Sequence, residues 1–408
     1  MKTFGLLGEK LSHSFSPLIH SHLADYVYSL FEKAPAEVGE FLLRGGFDGL
    51  NVTIPYKKTV MTFCAELSDS ARKIGSVNTV IRRIDGSLYG DNTDYYGFSY
   101  LLKKTGADVR GKKAVILGSG GSSVTVKAVL EDQSAGEIVT ISRRGENNYE
   151  NLSRHADAHI IVNTTPVGMY PNNGGAPVSL KNFNQCAAVI DIIYNPARTK
   201  LLLDAEELGI PCANGLPMLV AQAKRACELF LGNSVEDAKI ERITELIARQ
   251  TMNIVLIGMP GSGKSSVGAA LAASTDREFF DTDLLVAGKA GKSIPDIFSG
   301  DGEPAFRRME TEALEEVSKK SGCVIATGGG IVKNPYHLRL MRQNGVVVYL
   351  DRNINELPLS GRPLSQQQGV EALARERIPL YETWGQLKIP AQSGVEDTAQ
   401  YIKELIGL

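Results

Sequence analysis

Eight residues of the 408-residue chain, Gly258, Met259, Pro260, Gly261, Ser262, Gly263, Lys264 and Ser265, satisfy the pattern GxxxxGK[ST] between an apolar run, NIVLI, and a helical stretch. In that setting successive backbone N–H groups cradle phosphates, Lys264 reaches the β and γ groups, the Ser265 hydroxyl ligates Mg²⁺, and Ser266 continues into the helix. The expected chemistry is that of a nucleoside triphosphate, with the acceptor left open. No NKxD-type motif follows, which argues against a guanine-nucleotide switch.

A second glycine loop, LGSGGSS, sets Gly118, Gly120, Gly121 and Ser122 between the run AVIL and the stretch SVTVKAVLED. Such glycines let a turn tighten and let the backbone approach a pyrophosphate, whose charge meets the N–H groups of the following helix. Ser123 stands where a third Gly or Ala is usual and is small enough to keep the packing. An ordinary tight strand–helix turn would read the same way. An NAD site would place Asp or Glu about 20 residues on; this chain offers Ser142, Arg143 and Arg144 instead. Two guanidiniums and a hydroxyl suit the 2′-phosphate of NADP, unless they are only a solvated strand end.

Further polar residues cluster in short motifs. DTD (281–283) closes the apolar run FF, so the spacing predicts Asp281 and Asp283 on one side of a strand terminus, addressing a metal and a hydroxyl. GEPAFRRME puts Pro304 at a helix start, with Arg307 and Glu310 at i, i+3 spacing, a pairing that a solvated helix face would also show. ATGGGIV brings Gly328, Gly329 and Gly330 to a strand end, where a ligand can lie against bare backbone. In the N-terminal part Ser14, Ser16, Lys57, Asn78 and Asp94 are ambiguous singly: a loop hydroxyl, a helix cap, a surface lysine, turn residues.

The elements that must position these groups follow from alternating β-branched runs and helical stretches, which predict an α/β fold with mainly parallel sheets. FGLLG, YVYSLF, GLNVTI and NTVIRRI read as strands, and SPLIHSHLADY as a helix with Ser16 as N-cap and Pro17 at the first turn. A new series runs from KKAVILG through EIVTI, AHIIVN and AAVIDII. Two helices after Gly215 are expected to return to the N-terminal part, and a third series starts at NIVLIG with almost no linker. The hydrophobic share of 43%, charged share of 22% and formal net charge of −2 exclude disorder and a nucleic-acid surface. No apolar run reaches the ~20 residues of a membrane span, and the first residues do not read as a signal peptide, so a cytoplasmic location is expected. Five dispersed cysteines and six unpaired histidines point to reduced thiols and no structural metal.

Taken in order, HSFSP, NVTIPYKK, SVNTV, GDNTD, GSGGSS, NTTPVGM and MLVAQ resemble the shikimate dehydrogenase family over residues 1 to about 249. The resemblance implies a substrate-binding domain at 1–102 completed by 220–249, a Rossmann NADP domain at 103–219, and reduction of 3-dehydroshikimate by NADPH. It assigns the substrate carboxylate to Ser14 and Ser16, further contacts to Asn51, Thr53, Asn78, Tyr194 and Gln222, and catalysis to Lys57 and Asp94. The same residues leave open a quinate or aminoshikimate dehydrogenase.

Residues 252–408 resemble shikimate kinases. That implies a P-loop domain using ATP and Mg²⁺, with Lys264 at the phosphates, Asp283 as the base on the shikimate hydroxyls, Arg307 and Arg377 on its carboxylate, Gly328 to Gly330 lining the pocket, Glu310 holding Arg307 and Asp281 supporting Mg²⁺. Arg362, the lid arginine, neutralises the transferring group. The lid departs from that family, which often has a more basic segment, in having no Lys or Arg from Asn353 to Gly361. Met252 then reads as the start of a kinase fused behind a dehydrogenase. A non-catalytic sensor keeping both pockets would not need Lys57, Asp94, Lys264 and Asp283.

Overall fold

Apolar runs separated by turn residues pair into three sheets. The computed structural model describes residues 2–11, 14–357, 369–390 and 392–408, and Arg362 with most of the predicted lid lies outside them. The chain divides into two compact units, Met1–Tyr194 with Thr199–Leu246, and Asn195–Arg198 with Ile247–Leu408.

In the first unit β1 (Thr3–Gly8), β2 (Val27–Glu32), β3 (Gly49–Val52), β4 (Glu66–Leu67), β5 (Thr79–Arg82) and β6 (Leu88–Asp91) form a sheet of order β2-β1-β3-β5-β6-β4. The pairs β1/β2 and β1/β3 are parallel. The strands are mainly parallel, as expected, and β4 also pairs parallel with β6; the exception is β5, which runs antiparallel to both β3 and β6. The cause is local: the Arg83 and Ser87 backbones close a tight turn around Asp85 and Gly86, whose φ of +83° suits glycine. An Asp-Gly pair between two apolar runs is a strong hairpin signal, so the missed strand β6 was readable.

The second sheet, β7 (Lys113–Leu117), β8 (Glu137–Ile141), β9 (Ile160–Asn163), β10 (Ala188–Asp191) and β11 (Cys212–Ala213), is wholly parallel, in the order β11-β10-β9-β7-β8. Both faces are buried, which is why AVIL and AVID read as unbroken apolar runs. Val115 and Val189 belong to the core on one side, Ile116 and Ile190 to the core on the other. Strand order reverses between β7 and β9, opening a crevice at their C-terminal ends.

The helix Leu216–Leu231 packs on the helices Ser16–Leu23 and Asp94–Lys104. The next helix, Ala238–Thr251, is tied back by Lys239 Nζ on the Leu23 carbonyl at 2.6 Å and by Glu241, which accepts from Tyr100 and Lys104. Both helices thus contact elements of the N-terminal part. Ser16, however, is not a cap. It is the first residue of its helix, and the Ser14 hydroxyl accepts from the Ser16 N–H at 3.1 Å, so the capping oxygen comes from two residues earlier.

In the second unit β12 (Asn253–Ile257), β13 (Phe279–Asp281), β14 (Val324–Ala326), β15 (Gly345–Asp351) and β16 (Leu387–Pro390) form a parallel sheet of order β13-β14-β12-β15-β16, with an apolar core on each face. A single residue, Met252, separates β12 from the preceding helix. No helix among the described residues is long and apolar enough to cross a membrane.

Candidate active sites

A cavity of about 240 Å³ in the first unit gathers residues from nearly the whole unit. Ser14, Ser16, Asn51, Thr53, Lys57, Asn78, Asp94, Tyr194 and Gln222, all nine expected here, line it. Lys57 follows β3 and Asp94 opens the helix Asp94–Lys104; Lys57 Nζ donates to Asp94 Oδ2 at 2.6 Å, both side chains being partly exposed. A cation held against a carboxylate at a wet cavity can both stabilise a developing oxyanion and deliver a proton to it.

Behind this pair runs a buried polar chain. Asn78 Oδ1 accepts from the Thr93 N–H at 2.7 Å and from the Thr93 and Thr79 hydroxyls at 3.1 Å, and Asn51 Nδ2 donates to Thr79 Oγ1 at 3.2 Å. Thr79 and Thr93 were missed by sequence reasoning, although each sits inside a recognised motif, SVNTV and GDNTD. The apolar wall of Met218, Leu219 and Ile192 was missed too, because apolar residues at helical spacing read as core.

At the second glycine loop Gly118 has φ +103°, and a Cβ there would lie 2.9 Å from Thr164 and Thr165, so neither the turn nor the neighbours admit a side chain. Gly120 and Gly121 face open space at the start of the helix Gly121–Asp132, with Ser122 exposed beside them. Ser123 is buried and its hydroxyl bonds the Gly120 carbonyl at 2.5 Å, filling the third small-residue position. Ser142, Arg143 and Arg144 follow the end of β8, the arginines exposed and in no ion pair among the described residues. Beneath the crevice Asp191 accepts from Asn163 Nδ2 at 3.0 Å and Thr199 Oγ1 at 2.7 Å, and burial pushes its carboxyl up to about 6.

In the second unit Gly258, Gly261 and Gly263 have φ of +150°, +87° and +89°, and the loop enters the helix Lys264–Thr275. Lys264 is buried, its ammonium donating to the Gly258 carbonyl at 2.9 Å and the Met259 carbonyl at 2.8 Å; Ser262 is buried beside it, and Ser265 and Ser266 are exposed. Ser265 Oγ donates to Asp281 Oδ2 at 2.5 Å. A hydroxyl beside a carboxylate at a phosphate loop is a hard-oxygen pair that fits Mg²⁺, an ion that keeps waters and phosphate oxygens as its other ligands.

Asp281 and Asp283 do not share one side of a strand, as the spacing predicted. The strand stops at Asp281, whose Oδ1 caps the helix Thr282–Ala290 by accepting from the backbone of Asp283 and Leu284; Asp283 lies in the first helical turn and points elsewhere. A Cβ on Gly328 would lie 2.6 Å from Asp283 Oδ1 and 2.8 Å from Glu310 Oε1, and both oxygens are buried without a hydrogen-bond partner among the described residues. Burial raises the Asp283 carboxyl to about 6, aided by the charges of Glu310 and Asp281 and opposed by Lys264 and Arg307.

Arg307 Nη1 donates to Glu310 Oε2 at 2.8 Å, the expected i, i+3 pair, and Nε and Nη2 reach Glu303 Oε1 at 3.2 and 3.0 Å. Glu303, four residues earlier on the same helix, was legible from its spacing and went unread. A Cβ on Gly330 would overlap the Arg307 guanidinium, and Gly329 offers its carbonyl to Arg377 Nη1 at 3.2 Å and to the Tyr381 hydroxyl. A neighbouring cavity of about 320 Å³ is lined by Arg307, Glu310 and Gly330 with Lys333, Asn334 and His337; Asp283 and Arg377 stand outside its lining.

Residues 6–80 match the family model for the shikimate dehydrogenase substrate binding domain, and residues 260–406 match that for shikimate kinase. The shikimate dehydrogenase (NADP(+)) of Clostridium perfringens strain SM101 is 40% identical over 60% of this chain and 98% of its own. A chorismate mutase/shikimate 5-dehydrogenase fusion protein from Clostridium acetobutylicum is similar in structure at TM-score 0.57 and 36% identity, over 60% of this chain and 97% of that one. The shikimate 5-dehydrogenase of Thermus thermophilus, solved in complex with NADP(H) and shikimate, gives TM-score 0.55 and 28% identity over 60% and 99%.

Proposed function

We propose, for a chain that belongs to the shikimate dehydrogenase family and carries a shikimate kinase domain behind it, that the two units catalyse successive steps: 3-dehydroshikimate is reduced to shikimate, and shikimate is phosphorylated to shikimate 3-phosphate, both in the cytoplasm. The observation that carries this reading is the Lys57–Asp94 pair at 2.6 Å, set in a cavity whose other polar groups suit a carboxylated ring alcohol.

In the first step the open backbone at Gly120 and Gly121 with the helix end behind it would hold the NADPH pyrophosphate, and Ser142, Arg143 and Arg144 its 2′-phosphate. Bound NADPH supplies the hydride. Lys57 stands by the ring ketone, stabilises the oxyanion and gives it a proton, while Asp94 orients the ammonium and accepts from a ring hydroxyl. Ser14 and Ser16 hold the carboxylate, and Asn51, Thr53, Asn78, Tyr194 and Gln222 the remaining oxygens.

For the second step Lys264, the loop amides and Ser266 would hold the ATP phosphates, and Ser265 and Asp281 the Mg²⁺. ATP with Mg²⁺ supplies the phosphoryl group. Asp283 takes the proton of the attacking hydroxyl, and its unpartnered buried oxygen beside bare glycine backbone supports that part. Arg307 and Arg377 receive the carboxylate, with Glu310 and Glu303 holding Arg307. Arg362 would assist from outside the described residues.

One incubation with 3-dehydroshikimate, NADPH, ATP and Mg²⁺ tests the whole reading, with shikimate 3-phosphate as the product expected by mass. The absence of both NADPH consumption and a phosphorylated ring acid would sink it. Cofactor choice is tested separately. Arg143→Ala with Arg144→Ala is expected to raise the KM for NADPH by about 10- to 100-fold while changing the KM for NADH less than twofold, since the lost guanidiniums address only the 2′-phosphate. Equal effects on both cofactors would assign these arginines to general charge.

A further inference from the structure

We propose that Tyr28 is a positioning residue for the dehydrogenase site: its hydroxyl sets which way the Asn51 amide faces and so makes Asn51 a hydrogen-bond donor to the ring substrate. This rests on the function proposed above and concerns a residue that lies outside the cavity lining.

The direction of the polar chain is decided at one end by backbone. The Thr93 N–H, at 2.7 Å, can only donate, so Asn78 must turn its oxygen inward and its NH₂ towards the cavity. The Thr79 hydroxyl lies 3.1 Å from the same oxygen and 3.1 Å from the Thr93 hydroxyl; with its one proton turned to that side it accepts from Asn51 Nδ2 at 3.2 Å. Asn51 Oδ1 then needs a donor on its far side. Tyr28 provides it, its hydroxyl donating at 2.8 Å, and Asn51 keeps one N–H for the cavity.

The Tyr28 ring is itself held. His20 stacks on it with centroids 4.0 Å apart and an interplanar angle of 11°, and His20 Nδ1 meets the Tyr26 hydroxyl at 2.5 Å. Burial takes the His20 imidazole down to about 3, so the stacked ring stays neutral and adds no charge beside the substrate carboxylate. The Ser16 side chain lies beside the same Tyr28 hydroxyl, so one oxygen is shared between two groups that meet the ring acid. Tyr28 and Tyr26 pack on the cluster of Phe4 and Phe230, which ties β2 to the helix Leu216–Leu231. Without the Tyr28 hydroxyl the amide oxygen loses its 2.8 Å donor and keeps only the His20 ring beside it, so it can turn to the cavity, where it would face the oxygens of the substrate.

Tyr28→Phe in the full chain keeps the stacked ring and removes one oxygen. The expected result is a KM for 3-dehydroshikimate about tenfold higher, with kcat within about threefold and the KM for NADPH within twofold. A double-mutant cycle separates positioning from general loosening: in an Asn51→Ala background Tyr28→Phe should add less than about twofold, because the partner through which it acts is gone. Should Tyr28→Phe melt below the assay temperature, the same cycle is read in the cold as shikimate binding. An unaltered KM in Tyr28→Phe, or effects that multiply in the double variant, overturn the positioning role alone. A wild-type chain with no dehydrogenase turnover overturns the proposed function, and this role with it.

Discussion

Lys57→Ala is expected to lower the kcat for NADPH-dependent reduction of 3-dehydroshikimate by about 10³-fold, leaving shikimate-dependent ADP release within twofold of wild type. The size follows from losing two effects at one atom: the proton donor, which contributes typically 10²- to 10⁴-fold, and the fixed positive charge at the developing oxyanion. Asp94 cannot replace it, since a carboxylate next to an oxyanion repels the charge that Lys57 attracts. The pair is partly exposed, so the fold should be little affected, and an unchanged melting point would show that the loss is chemical. Initial rates of both reactions on the same preparation check the prediction. Loss of both activities would mean that the two catalytic centres are not independent, and a wild-type rate of reduction would remove Lys57 from the mechanism.

Asp283→Asn should have a comparable effect in the other unit, lowering phosphoryl transfer by about 10²- to 10⁴-fold with reduction of the ring ketone unchanged. Asparagine keeps the shape and loses the base. The wild-type rate should also report the carboxyl: kcat/KM for shikimate rises with pH through a limb near 6, the value to which burial, Glu310 and Asp281 push Asp283, because only the ionised form accepts the proton. That limb is expected to vanish in the variant.

Stability should move the opposite way. A carboxyl whose folded value is raised above its ordinary 3.8 stabilises the fold fully below that pH and loses the contribution as pH rises through about 6, so at neutral pH the ionised Asp283 is a strained group with a buried, unpartnered oxygen. Asp283→Asn relieves this and its NH₂ can donate to Glu310 Oε1, so a melting point equal to wild type or a few degrees higher is expected by calorimetry at pH 7. A large drop in melting point would mean that the carboxylate is structural.

Much of both sites was legible because phosphate and carboxylate chemistry is written in short local patterns. Gly258 to Ser265 form a cradle from their own backbone, and Gly118 to Gly121 do the same after β7; positive φ, missing side chains and a following helix are all sequence-adjacent requirements. Arg307 and Glu310 meet because one helical turn brings i and i+3 together. Motif order sufficed to name Lys57 and Asp94 together, though they are 37 residues apart.

Local pattern failed where a neighbour far along the chain set the outcome. Ser16 looked like a cap by type, but the helix begins at Ser16 itself, whose N–H meets the Ser14 hydroxyl and whose side chain lines the cavity. Asp281 and Asp283 looked like two residues of one strand, and the strand ends at Asp281, with the helix beginning at Thr282. Tyr28 and His20 read as ordinary members of a strand and a helix.

What the residues determined alone was therefore the kind of chemistry, since backbone cradles, helix-turn pairs and motif spacing are properties of contiguous chain. What only the tertiary structure decided was environment: that Ser14 and Gln222 line one cavity, that the Tyr28 hydroxyl meets Asn51 Oδ1, and that burial pushes the Asp283 carboxyl up to about 6. Desolvation and hydrogen-bond direction are sums over everything packed around a group, and in this protein those surroundings come from segments as distant as 28 residues for Asn51 and Thr79, and 129 for Thr93 and Gln222.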